Sequence, residues 1–179
     1  MKLRKLLDSL YLGSGVLAAV FLCGIGVLML AQIIGREMGV QVRGADDLTA
    51  WFCAASAFLP LAHTFKRGEL VRVGLLLEHL RPAARRYAEL FSLATATLFV
   101  GYMAWSVTRF VYQSYAINDV AQGMLPLPMW IPQSSFAAGV IVLFIAIVDE
   151  LVLVFQKFTP TYVLAEEERH ARGDFSESV

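Results

Sequence analysis

Apolar residues run through this chain in four long blocks separated by short polar stretches. Residues 9–35 carry no charge at all. As a helix rising about 1.5 Å per residue they would reach roughly 40 Å, more than the roughly 30 Å of hydrocarbon in a bilayer. Basic residues precede this block, as they do in a secretory signal peptide. The apolar core of such a peptide is only about 7–15 residues long, so the block is read as an uncleaved first helix. The other blocks follow the same logic, and spans are predicted at about residues 10–35, 48–65, 88–109 and 131–150. Pro60 falls inside the second and predicts a kink there. Gly13, Gly15, Ala19, Gly24 and Gly26 thin the first span, and Ala54, Ala55, Ser56 and Ala57 thin the second. Small residues let membrane helices approach closely.

The longest polar break, residues 66–89, has a pattern of its own. Leu70, Val73, Leu76, Leu77 and Leu80 share one helical face, while Arg72, Glu78, His79, Arg81, Arg85 and Arg86 point elsewhere and Val71 and Leu75 interrupt the pattern. This predicts an in-plane amphipathic helix over about residues 69–81, resting on lipid headgroups or on a partner's helix. Pro82 suits the first position of the next helix. Near the fourth span, Pro126, Pro128 and Pro132 forbid regular helix and predict a rigid loop. Trp51 and Trp130 lie near span ends, where aromatic belts form. Asp46 and Asp47 precede the second span, where carboxylates suit the positive end of a helix dipole.

Composition agrees with this pattern. Of 179 residues, 58% are hydrophobic and 17% are charged, against about a quarter in a soluble chain. The mean hydropathy is +0.62. The expected fold is an all-α integral membrane protein with four transmembrane helices and an in-plane amphipathic helix between the second and third. One membrane domain would occupy residues 1–157, with a flexible polar tail over 158–179. Twelve of the basic residues fall at the termini and in the central break; Arg36, Arg43 and Arg109 fall on the other side. That asymmetry predicts both termini inside the cell.

Candidate chemistry is sparse. The formal net charge is zero, which offers no footprint for nucleic acid. Arg109, Asp149 and Glu150 stand at span ends and are read as interface anchors whose heads stay wet. His63 alone cannot supply the paired axial ligands of an electron-carrying haem. Cys23 and Cys53 are read as packing residues, at different depths and unbonded. No metal-ligand, nucleophile or phosphate-cradling motif occurs. No enzyme activity, cofactor or metal is expected.

Three stretches carry a resemblance to a known family. They are Asp46-Asp47, the run FLPLAHTFKRGELVRVGLLLEHL, and GMLPLPMWIPQSSFAAGVIVLF. With the length and the four-span plan, they resemble the small membrane (permease) subunit of tripartite ATP-independent periplasmic (TRAP) transporters, over about residues 1–155. The family's serine- or glycine-glutamate pair ahead of the last stretch is only loosely matched by Asn118-Asp119 and Gln122-Gly123. The resemblance implies a non-transporting scaffold in a bacterial inner membrane. Its partners would be a large membrane subunit, a periplasmic substrate-binding protein and membrane phospholipid, and the system would take up an organic acid anion with sodium. Candidate partner or lipid contacts are then Arg36, Arg43, Asp46, Asp47, Trp51, Asp119 and Trp130 toward the outside. Toward the inside they are Leu70, Val73, Leu76, Leu77, Leu80, Arg81, Arg85 and Arg86. A self-sufficient small exporter, or a membrane anchor or assembly subunit of a redox complex, remain the alternatives. The first would need an intramembrane carboxylate and the second, if it carries haem, further ligands.

Overall fold

The structure is a computed structural model that describes residues 2–40, 43–67 and 82–156. The amphipathic stretch 69–81 lies outside the described residues, with Leu70, Val73, Leu76, Leu77, Leu80 and Arg81, and so does the tail. The described chain forms α1 (Lys2–Glu37), α2 (Ala45–Phe58), α3 (Leu61–Lys66), α4 (Pro82–Ala116) and α5 (Trp130–Phe155). Helices α2 and α3 together make one crossing, so four helical segments are long and apolar enough to span a membrane. Among the described residues the only extended pairing is an isolated bridge between Val120 and Pro128.

The helices stop where their sequences supply a stop. At the end of α1, Gly39 takes a left-handed φ of 72°. Its N–H meets the Arg36 carbonyl at 3.1 Å and the Val40 N–H meets that of Gly35 at 2.8 Å. This is the Schellman arrangement, which satisfies carbonyls left over by the last turn. Helix α4 ends the same way on Asn118, with φ 50° and an Asp119 N–H to Ser114 carbonyl bond of 3.0 Å. Helix α4 begins at Pro82, whose missing N–H costs nothing in a first turn.

Helix α5 is central. It packs along α4 and also touches α2 and α3, while α1 packs on α2 and α3. Contacts within a membrane rest on close packing rather than on exclusion of water, so small residues fill the seams. Ala18, Ala55, Ala62 and Ala146 are all buried. Helix α1 meets α2 where Gly24 leaves room for the Phe52 ring, 2.9 Å from where a Cβ would stand. Two pairings fix an antiparallel register between α4 and α5. Tyr115 and Trp130 meet edge to face at 5.8 Å, and a Cβ on Gly101 would lie 2.9 Å from Phe144. That register sets Arg109 level with Phe136 and Trp105 level with Val140.

Pro60 does more than kink the second crossing. The helix stops at Phe58 and resumes at Leu61. Leu59 still donates to the Ala55 carbonyl at 3.1 Å, but Pro60 has no N–H to give.

Candidate functional site

Two clusters and one seam hold the chemistry. The first cluster is the loop between α4 and α5. Proline denies this segment a helix, and it closes on itself instead. Ala121 donates to the Leu127 carbonyl at 2.9 Å, and Met129 donates to that of Asp119 at 2.9 Å. Pro132 then falls in the first turn of α5, where backbone N–H groups have no helical acceptor to lose. The loop is fastened to α2 by Asp47, whose Oδ2 accepts from the backbone of Met124 at 2.9 Å and of Leu125 at 3.4 Å. Glycine leaves room on both sides of this contact, and the left-handed φ of 77° at Gly44 itself favours it. A Cβ at Gly123 would fall 2.3 Å from Asp47 Oδ2, and one at Gly44 would fall 2.3 Å from Leu125 Cγ. Neighbouring Asp46 accepts from Gln32 Nε2 of α1 at 2.8 Å. The two carboxylates therefore tie three segments together, besides sitting in the first turn of α2.

Asp47→Ala should free the Met124 and Leu125 amides without disturbing the helices. Bonds to a charged acceptor are worth about 1.5–3 kcal/mol when shielded and less when exposed. Amide hydrogen exchange at these two positions should therefore rise roughly tenfold. Unchanged exchange would mean that the loop holds itself.

The second cluster lies at the opposite end. Lys66 Nζ donates to Asp149 Oδ2 and, at 2.9 Å, to Glu150 Oε1. It also stands 5.4 Å from the centre of the Tyr11 ring. Glu150 is fully buried, at 0% exposure, and Tyr11, against which Lys66 stands, is buried in a hydrophobic cluster with Ala62, Phe65 and Ile147. The expectation that both carboxylates stay wet at a span end is overturned for Glu150. Helix α5 runs on to Phe155, and the turn carrying Glu150 faces α3 rather than water. Burying a lone carboxylate is costly, and the nearby ammonium makes it tolerable.

The seam is the break between α2 and α3. In many transporters an interrupted helix exposes backbone to a cavity where substrate and ions bind. Here α5 fills the gap. A Cβ at Gly139 would lie 2.6 Å from both the carbonyl carbon and the oxygen of Phe58. Leu59 and Val140 are buried on either side. Among the described residues no group of three or more His, Cys, Asp or Glu could hold a metal. His63 packs on α1, and a Cβ at Gly15 would stand 3.3 Å from its Cγ. Cys23 and Cys53 are unbonded, but both face outward, contrary to their reading as packing residues. A groove of about 410 Å³ lies between α4 and α5, lined by Thr108, Tyr112, Tyr115, Trp130, Ala137 and Ile141 among others.

Residues 25–157 match the family described as tripartite ATP-independent periplasmic transporters, DctQ component. The chain belongs to that family. No curated protein matches it at a significant level. The DctQ match covers α2 to α5, with the Asp47 fastening, the Lys66 cluster and the sealed break; Tyr11 lies before it. A DctQ component is a transporter part rather than an enzyme, and its four apolar helices make this one a multi-pass membrane protein.

In this DctQ component the residues expected on one side gather at one end of the bundle. Arg36, Arg43 and Asp46 are exposed there, and Asp47, Trp51 and Asp119 are half-buried. Trp130 packs on Tyr115. Arg85 and Arg86 lie in the first turns of α4. Sequence reasoning missed Gln32, Gly44 and Gly123, as well as the pairing of Lys66 with Glu150. A glycine on each flank of an acidic, proline-bounded contact is a signal only once the two segments are known to touch.

Proposed function

We propose that this DctQ-family chain is the small, non-transporting scaffold subunit of a sodium-coupled TRAP transporter. It braces the large membrane subunit and helps seat the periplasmic substrate-binding protein during uptake of an organic acid anion. The observation that carries this reading is the sealed break between α2 and α3. Among the described residues, the one broken crossing that could open onto a substrate is closed by the backbone of α5 at Gly139. The end holding the Asp47-fastened loop is the periplasmic one in this reading, because the basic residues concentrate at the other. A loop fixed at both ends and pinned in its middle is a suitable seat for a soluble partner, because little is lost in ordering it.

A self-sufficient exporter would need an intramembrane carboxylate, and Glu150 is a buried one. It is paired with Lys66, however, and lies twenty residues along α5 from Trp130, roughly 30 Å away, at the membrane's edge rather than its middle. One experiment separates the readings. The chain is reconstituted alone, and then with the large subunit and the periplasmic protein. Sodium-driven accumulation is expected only in the full assembly. Accumulation by the lone chain, or by an assembly that omits it, would defeat the scaffold reading.

A further inference from the structure

Helix α4 turns an unusual face outward. Tyr102 and Trp105, 68% and 59% exposed, lie with ring centroids 6.2 Å apart. The Arg109 guanidinium stands 5.7 Å from the Trp105 ring. These residues fall at successive turns and form a continuous ladder. The α4–α5 register places Arg109 six residues below Trp130, roughly 9 Å, and Trp105 ten residues below, roughly 15 Å. A hydrocarbon layer is about 30 Å thick, so Trp105 stands near its middle. Tryptophan and tyrosine favour the edges of a bilayer, where their polar atoms find water. Among the described residues, the Tyr102 hydroxyl and Trp105 indole N–H make no hydrogen bond, and no carboxylate pairs with Arg109. Facing lipid, three polar groups would be stranded in hydrocarbon without the partners that burial demands.

Helix α1 offers the contrast. Its outward residues include Val16, Val20, Val27, Leu30 and Ile34, with no polar side-chain atom among these five. Lipid satisfies such a face completely.

We infer that the Tyr102–Trp105–Arg109 face of α4 is the surface on which the large membrane subunit docks, and that a facing helix of that subunit presents a carboxylate to Arg109. This rests on the scaffold reading and adds which side of the bundle does the bracing. The occupant is a protein helix because only protein supplies fixed acceptors at mid-membrane depth. The carboxylate follows from charge: the expected span-end anchor gives way here, because α4 runs on to Ala116 and the Arg109 guanidinium turns onto Trp105, one turn deeper; such an arginine needs an anion, and α4 and α5 provide none at its level.

The test uses the assembled transporter in native membranes. A photo-crosslinking amino acid replaces Tyr102 or Trp105 on α4, or Val20 or Leu30 on α1. The α4 probes should label the large subunit, and the α1 probes should label lipid. The reverse pattern, or lipid adducts from all four sites, would overturn the assignment while leaving the scaffold reading intact. A chain that never co-purifies with the large subunit would defeat both. Arg109→Leu should lower the co-purified large subunit roughly tenfold at an unchanged level of folded chain, and Arg109→Lys should lower it less. An Arg109→Leu variant with full recovery would overturn the ion pair.

Discussion

Replacing Lys66 with methionine is expected to destabilise the chain more than any other single side-chain truncation. Its ammonium reaches both Asp149 and Glu150. Asp149 retains 24% side-chain exposure and can turn to water, but Glu150 has none. Removing one partner of a buried pair typically costs about 3–5 kcal/mol, because the other charge stays behind unbalanced. The melting transition of the purified chain in detergent should drop sharply, and its level in the membrane should fall with it. Lys66→Met combined with Glu150→Met should recover most of the loss, since an apolar pair of similar volume suits this core. The hydrophobic cluster around Tyr11, whose ring Lys66 approaches, includes Ala62, Phe65, Ala146 and Ile147. A single variant that melts like the parent would show that the cluster is not structural.

Gly139→Val should come second. The new Cβ would stand 2.6 Å from the Phe58 carbonyl, against backbone that cannot swing aside. Helix α5 would have to part from the broken crossing, and overpacking of this kind costs about 1–3 kcal/mol or more. The loss should show both in thermal melting and in co-purification with the other subunits, because the seam opens in the middle of the scaffold. Gly13→Ala is the control. Nothing lies within 4 Å of a Cβ there, and alanine is the better helix former. Equal effects at the two glycines would mean that the seam is looser than its geometry.

Reading the chain without its structure reaches some of this and misses the rest for identifiable reasons. Apolar blocks announce crossing helices because a bilayer demands that length and that composition. Pro82 marks the start of α4 because proline fits few other helical positions. Asp46 and Asp47 read as first-turn acids, which they are. What Asp47 grips is invisible, because the amides of Met124 and Leu125 lie 77 and 78 residues further along. Glu150 is harder still. A carboxylate at the end of an apolar run looks the same whether it meets water or a lysine 84 residues earlier. Gly139 sits in a helix that already holds small residues, so nothing in the string separates it from Gly13. The outward cysteines were equally illegible, since an apolar run does not say which of its faces turns inward.

The paired left-handed terminations at Gly39 and Asn118 carry a last implication. Each turns two carbonyls of its last turn onto the amides that follow, so those acceptors need no water. A second protein can then settle over that end and expel the intervening solvent without stranding those acceptors. Such a contact can be dry at those four carbonyls while the exposed arginines around it keep their water.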